Sequence, residues 1–353
     1  MKILLKKIRL NKKGLLYQMK ILVVGDVHIK LDNLPDIQLL IQKLEKEIIY
    51  RQPSLVILLG DILHTHERIH TSCLQYADQL FRMCSELVPT YVLVGNHDYI
   101  SNSQFLTSNH WMIPFSCWKN LTIVDRVMET TIDSHRFLFC PYVPEGRFVE
   151  ALSTVSDWQK SDMIFAHQTL NGVKMGAILT ENVEEWQDSW PFLCCGHVHD
   201  RQRVQPNLYY TGTPMQQAFG ESHHKTIVQF TFQDHKMALE EFPLKVAIKR
   251  IEYLTVQEAY NYKADIEPNE MVRLTIKGTK EECSIFKKTP VFRSLVAQYK
   301  IVFDEISMNQ EPIEEMTSTF HEVLVKNIQS SYFLTKLYKQ YASLPHQTDV
   351  QFV

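Results

Sequence analysis

The chain carries no pair of cysteines in CxxC spacing, and its seven cysteines, at positions 73, 84, 117, 140, 194, 195 and 283, follow no pattern. An odd, unpatterned set argues against a disulfide framework and predicts free thiols in a reducing compartment. No run of about 18 apolar residues occurs, so no membrane span is expected. A surplus of either charge is also missing: 37 Lys+Arg stand against 40 Asp+Glu, for a formal charge of −3. A protein that holds nucleic acid by itself usually carries a basic excess. Internal repeats and low-complexity tracts are absent as well, which removes the solenoid and linker classes from consideration.

What remains is a 353-residue chain with 45% hydrophobic residues, enough for a sizeable core and long enough for two or three units. Residues 1–18 stand apart, being rich in Lys, with Arg9 and no acid. Such a segment suits a basic arm or a targeting peptide. Met19, which opens the first apolar run, equally suits a true start, leaving 1–18 as a non-native extension. No long apolar stretch or small-residue cleavage site follows, so a cleaved signal peptide is not expected.

Five short apolar runs each end in residues that bind metals. The run 21–24 leads into Gly25-Asp26-Val27-His28, and 55–59 into Gly60-Asp61. The run 91–94 leads into Gly95-Asn96-His97-Asp98, 163–166 ends at His167, and 192–195 leads into Gly196-His197-Val198-His199. Short continuous apolar runs are the signature of strands buried on both faces. Between them, residues 35–52 and 72–87 repeat apolar positions with helical period. A β-α-β-α-β order implies parallel strands, and in open α/β sheets the chemistry lies beyond the carboxyl ends of the strands. All five motifs are on that side. Further strands are expected at 121–124, 136–140, 208–211, 226–232 and 237–242, with a helix at 145–158. After Pro243 the pattern changes to a small α+β unit. Its strands are expected within 245–254, 271–276 and 300–303, its helices at 256–262, 280–286 and 292–298. Helical periodicity returns from 311 onward.

The chemistry of the motifs is that of a two-cation site. Asp26 and His28 offer a carboxylate and an imidazole two residues apart. Asp61 can bridge two cations through its two oxygens, Asn96 offers a neutral carbonyl oxygen, and His167, His197 and His199 add imidazoles. Mixed O and N donors without thiolate suit Mn²⁺, Fe²⁺ or Zn²⁺. Two such ions would clamp a phosphate and lower the pKa of a bridging water, whose hydroxide attacks phosphorus in line. The departing oxygen then needs a proton. His97, beside Asn96, suits that task, with Asp98 placed to orient it. A single histidine after a strand is more often structural, and GD or GNHD alone is compatible with a turn. The ordered set of five is what carries the reading. His66, His70, His110, His135, His223, His224, His235, His321 and His346 are expected to be surface or loop groups.

The set GDVH, GDILH, GNHD, AHQ and GHVH, over about 19–242, resembles the calcineurin-like metallophosphoesterases. The resemblance implies an α/β fold, a two-sheet β-sandwich flanked by helices, with a dinuclear metal centre. It places Asp26, His28, Asp61 and His199 on one ion and Asp61, Asn96, His167 and His197 on the other, with His97 as catalytic acid. Phosphoprotein phosphatases usually carry GDxxDRG at the second motif. The GDxxH form here, ending in His64, resembles the SbcD-type DNA double-strand-break nucleases, in which that histidine helps place the nucleic-acid backbone. The segment Tyr210-Thr211-Gly212-Thr213-Pro214, followed by Phe219-Gly220-Glu221, is also similar to theirs, with a departure at Gln216-Gln217.

That resemblance implies a catalytic domain at 19–243, a capping, DNA-binding domain at 244–308, and a helical tail at 309–353 that binds an SMC-like ATPase of the SbcC type. It implies 3′-to-5′ exonuclease action and single-strand or hairpin endonuclease action in double-strand-break repair and recombination. Two divalent ions, Mn²⁺ first among them, would serve as cofactors. The expected assembly is a homodimer within a heterotetramer, cytoplasmic or nucleoid-associated in a bacterial, phage or other viral setting, and not secreted. Lys30, Arg68, Arg201 and Arg203 lie near the motifs and are candidates to meet DNA phosphates. From 240 to the end, 14 Lys+Arg face 16 Asp+Glu, so that half is no basic arm and a partner is expected to supply grip. The same metal site would serve a small-molecule phosphodiesterase or a phosphoprotein phosphatase. A non-catalytic scaffold for an ATPase is the third reading.

Overall fold

A computed structural model of the chain describes residues 18–306, apart from 67, 177, 234, 235, 264, 265, 267 and 268. The basic extension at 1–17, the helical tail at 309–353 and His235, His321 and His346 lie outside the described residues.

The first sheet grows from β1 (Met19–Val24), β2 (Leu55–Leu58), β3 (Thr90–Leu93) and β4 (Leu121–Val124), all parallel. Helices α1 (Leu34–Arg51) and α2 (Thr71–Leu87) make the crossovers. The second sheet uses β5 (Met128–Ile132), β6 (His135–Cys140), then, after the short α3 (Phe148–Leu152), β7 (Met163–His167). A hairpin of β8 (Lys174–Met175) and β9 (Ile178–Leu179) follows, then β10 (Phe192–Gly196), β11 (Gln202–Gln205) and β12 (Leu208–Tyr210). The chain returns to the first sheet with β13 (Ile227–Gln233) and β14 (Lys236–Phe242). The two six-stranded orders are β14-β13-β1-β2-β3-β4 and β11-β12-β10-β7-β6-β5.

Side chains alternate between the faces of a strand. Ile21, Val23, Leu55 and Ile57 therefore point inward, against Phe137, Phe139, Met163, Phe165 and Cys194 of the second sheet. Leu22, Val24, Val56 and Leu58 point outward, against Ile37, Leu40, Leu44, Leu80 and Phe81 of the two helices. The outer face of the second sheet is covered by Phe148, Trp158 and Trp186. Both faces of the central strands are buried, which is why they read as unbroken apolar runs rather than alternating ones. The result is a mixed α/β sandwich of two sheets flanked by helices.

The single helix expected at 145–158 is broken into α3 and a short 3-10 turn at Trp158–Lys160. Ser153 and Thr154 explain the break: their hydroxyls donate to the carbonyls of Val149 and Ala151, both at 2.7 Å. Such local bonds compete with helix continuation. Strands β5 and β11 had no apolar run to announce them. Both are edge strands of partly exposed residues.

Beyond Phe242 lies a three-stranded parallel sheet of β15 (Ile248–Thr255), β16 (Glu270–Thr279) and β17 (Lys300–Ile306). Helices α4 (Val256–Ala259), α5 (Lys280–Phe286) and α6 (Pro290–Val296) cover it. Leu274, Ile276, Cys283 and Phe286 centre its separate core. Thr255 with Glu258 and Thr279 with Glu282 form capping boxes that start α4 and α5. This unit is fastened to the sandwich by Gln216, whose side chain exchanges hydrogen bonds with the backbone of Lys249 at 2.8 and 3.3 Å. Among the described residues, no helix is long and apolar enough to cross a membrane.

Candidate metal centre

Parallel strands that end side by side bring their following loops together. Asp26 and His28 follow β1, Asp61 follows β2, Asn96 and His97 follow β3, His167 closes β7, and His197 and His199 follow β10. Three of these residues, His28, Asp61 and His197, sit at positive φ (49°, 48° and 80°), a conformation that costs energy and clusters at functional sites. Two glycines make room for the approach. A Cβ at Gly95 would run into the Asp61 carboxylate, and one at Gly196 would meet Asp26 Oδ1 at 2.7 Å and His167 Nδ1 at 3.0 Å.

The residues gather as two clusters. One ligand atom each from Asp61, His167 and His197 falls within 4.8 Å of the others, and the same holds for Asp26, His28 and His199. In the first cluster Asn96 Oδ1 lies 2.8 Å from His197 Nδ1 and 3.0 Å from His167 Nε2, and those nitrogens are 3.2 Å apart. His167 Nδ1 is 2.8 Å from the Leu59 carbonyl, to which it donates, so its Nε2 is the atom that faces the cluster. In the second cluster His28 Nε2 and His199 Nε2 are 2.9 Å apart. Asp61 links the two: Oδ1 is 3.4 Å from His167 Nε2, and Oδ2 is 3.6 Å from His28 Nε2.

Do these groups fit divalent ions? Asp26 Oδ2 is buried with no hydrogen-bond partner, an expensive state for a carboxylate oxygen unless something cationic sits against it. Lone-pair nitrogens facing each other at 2.9 and 3.2 Å repel unless a proton or a cation lies between them. Two imidazoles bound to one ion at about 2.0–2.1 Å would stand at similar separations. The donor set is oxygen and nitrogen with no thiolate, since every cysteine is elsewhere. The residues fit.

From the protein groups alone, the electrostatics are strained in the same sense. Burial and the neighbouring Asp61 charge push the Asp26 carboxyl up to about 6. Burial also opposes a charge on His167, but Asp61 and Asp26 outweigh it and hold that imidazole up at about 9. Burial, then the charge on His167, push His197 down to about 3. Burial would raise Asp61 too, yet His167 and His28 hold it well below the usual carboxylate range. Two buried carboxylates thus hold a proton on His167, a place a divalent cation would take over.

His97 stands at the rim, with Nε2 4.0 Å from Asp61 Oδ2. Its Nδ1 donates to the His64 carbonyl at 2.7 Å, which leaves Nε2 turned to the centre. Its ring lies between His64 and His66, with centroids at 5.4 and 4.5 Å and planes within 11° and 22° of parallel. His64 itself is exposed, with Nδ1 3.4 Å from His28 Nδ1.

Two expectations need correcting here. Asp98 does not orient His97. Its carboxylate accepts instead from the backbone N–H of Gly95 (3.0 Å), Ile62 (3.2 Å) and Leu63 (3.3 Å) and from Trp111 Nε1 (3.0 Å). It pins the second and third motif loops together, and His64 O takes over the orienting of His97. Nor are all the remaining histidines at the surface: His110 is buried with Nε2 3.6 Å from Asp125 Oδ2, whereas His66 lies in a loop, as expected, and stacks on His97.

Of the basic candidates, Arg201 is engaged by both oxygens of Glu241 at 2.8 and 2.6 Å, and Arg203 donates to the Pro206 carbonyl at 3.0 Å. Lys30 stays near the site, 3.8 Å from Asp32, and Arg68 is exposed. Sequence reading missed Lys225, which is 6% exposed and donates to His199 O at 2.9 Å while pairing with Glu221 at 3.0 Å. Glu221 Oε1 stands 3.9 Å from His199 Nδ1. It missed Gln217 too, whose amide donates to Val27 O at 2.9 Å and faces Asn33, itself a donor to His28 O at 2.9 Å. No local pattern marks a lysine or a glutamine for such a task; Glu221 alone had a signal, in the FGE segment.

Comparison with known proteins gives the family. The calcineurin-like phosphoesterase family model matches residues 19–201. A protein of Invertebrate iridescent virus 3 described as a putative phosphoesterase is 35% identical over 324 residues, 89% of this chain and 93% of its own. A second, from Invertebrate iridescent virus 6 and described in the same words, is 38% identical over 77% of this chain and 98% of its own. Among solved structures, purple acid phosphatase PPD1 from yellow lupin aligns over 65% of this chain and 52% of its own, at 14% identity and a TM-score of 0.45. The chain belongs to the calcineurin-like phosphoesterase family.

Proposed function

We propose that this phosphoesterase is a metal-dependent DNA nuclease of the SbcD type, with Mn²⁺ as the working ion. Two divalent ions bound by Asp26, His28, Asp61, Asn96, His167, His197 and His199 would supply Lewis acidity at the phosphate and a more acidic water. The chain's own residues do the rest. Asp61 shares its two oxygens between the clusters. His97, with Nδ1–H held by the His64 carbonyl, offers Nε2 as the proton donor to the departing sugar oxygen. His64 is exposed beside both His28 and His97, where it can hydrogen-bond a phosphate oxygen of the strand.

The observation that carries the nuclease reading is His64. It ends GDILH at the rim of the centre, the position at which phosphoprotein phosphatases usually continue to Arg-Gly. The unit at 248–306 is joined to the centre through Gln216 and Gln217, which supports reading it as a DNA-capping domain. With Arg201 and Arg203 engaged internally, grip on DNA falls to a partner, an SMC-like ATPase in a heterotetramer with two copies of this chain.

The test is cleavage of end-labelled duplex, hairpin and single-stranded DNA by the purified chain with Mn²⁺, with and without that ATPase. Mn²⁺-dependent 3′-end shortening and hairpin opening are the expected results. Hydrolysis of small phosphodiesters that excess DNA does not compete with, and no DNA cleavage, would move the chain to the small-molecule class.

A further inference from the structure

The β8–β9 hairpin spends apolar side chains on water beside the metal centre. Met175, Ile178 and Leu179 are 42%, 70% and 47% exposed. Pairing of Met175 with Ile178 puts these two on one face, and of Lys174 with Leu179 on the other. The hairpin base is fixed. Thr180 Oγ1 donates to Leu170 O at 2.7 Å, and the Gln202 amide takes both backbone groups of Lys174, at 2.9 and 2.8 Å. The tip turns through Gly176 at φ +62°, with open space where its side chain would be.

Between this tip and the centre lies a cavity of about 200 Å³, lined by Met175, Gly176, His197, Val198, His199 and Asp200. Its floor is therefore the fifth metal motif itself, so a group that fills it lies directly beside the candidate metal centre. The volume is below the roughly 300–1,000 Å³ of a drug-sized site and suits one ring-sized group. Met175 brings an apolar side chain to one wall, opposite His197, His199 and Asp200, and Ile178, its cross-strand partner, continues that apolar face beyond the cavity lining; this fits a flat group with an apolar face and polar edges. A few exposed side chains are far short of the roughly 20–30 residues that a stable protein interface uses on each side.

We propose that the Met175–Ile178 face is the subsite for the nucleobase next to the scissile phosphate. This rests on the nucleic-acid reading above. The thioether of Met175 and the branched chain of Ile178 would lie against the base plane while His197 and His199 face its phosphate. Such a contact is insensitive to base identity, because every base presents the same kind of face.

The test compares two single strands, one intact and one with an abasic residue at the position flanking the cleaved bond, under Mn²⁺. Wild type is expected to show the lower KM on the intact strand. The Met175→Ala/Ile178→Ala variant should raise that KM about threefold to tenfold and erase the preference. Ile178→Ser alone, at the most exposed position, should move it part of the way, and bound-ion content should match wild type in both variants. Equal KM values on the two strands for wild type, or a preference that survives in the double variant, would overturn the subsite. Failure of wild type to cut either strand would instead overturn the nuclease reading, and the subsite with it.

Discussion

The two halves of the metal centre are held in different ways. Asn96, His167 and His197 lean on the sandwich itself: His167 is fully buried at the end of β7, and its Nδ1 is locked by the backbone of Leu59. The half made by Asp26, His28 and His199 leans on side chains from a distant segment. Glu221 and Lys225 bracket His199, and Gln217 and Asn33 hold the Val27–His28 loop. That segment also holds the C-terminal unit, because Gln217 O receives Lys249 Nζ at 3.3 Å and Gln216 pairs with the Lys249 backbone. Both halves hang from the ends of parallel strands, but the second depends in addition on side chains of the 217–225 segment, so its ion should be the more easily lost.

The widest break in this comparison is Asp61→Ala, which removes the residue common to both halves. Both ions should be lost and hydrolysis fall to background, read by metal analysis and turnover. Next comes His97→Ala, which removes no member of either ligand set, although the ring stands 4.0 Å from Asp61 Oδ2. It should keep both ions while kcat falls about 10²–10⁴-fold, as removal of a proton donor typically does. Retention of normal kcat would assign the proton to another group.

Glu221→Ala separates the halves. Loss of a group that orients a ligand typically costs about 10–100-fold in ion affinity. The loss should fall on one ion of the two, so titration calorimetry should resolve one weakened and one unchanged site. Equal weakening of both would contradict the division. Gln217→Ala should act in the same direction, by less than about tenfold, since Asn33 still holds the His28 carbonyl.

The smallest effect is a proton count. His167 is held up at about 9 by burial-opposed attraction to Asp61 and Asp26, so at pH 7 it carries a proton that an ion must displace. Asp26, held up at about 6, adds to this below that pH. Ion affinity should therefore rise as pH rises from 6 to 9, with about one proton released at pH 7. Calorimetry in buffers of different ionisation enthalpy reads this directly; affinity flat across that range would contradict it.

The same contrast explains what the sequence made legible. Strands buried on both faces announce themselves as apolar runs, and the groups gathered at their ends stand right after them, so the sandwich core and its cluster of Asp, Asn and His were readable. Edge strands β5 and β11 were not, because one side of each meets water and no run forms. Asp98 was misread because a residue next to His97 in sequence need not face it: the backbone turns, and the carboxylate finds three N–H groups and Trp111 instead. Lys225 and Gln217 act across long stretches of chain, and Asn33 acts only five residues from His28, but nothing local distinguishes any of the three from ordinary polar residues.

The most direct measurement is anomalous diffraction from crystals of the full chain soaked in Mn²⁺. Two peaks are expected, one among Asp26, His28 and His199, the other among Asn96, His167 and His197, with Asp61 touching both. A single peak, or peaks away from Asp61, would contradict this arrangement.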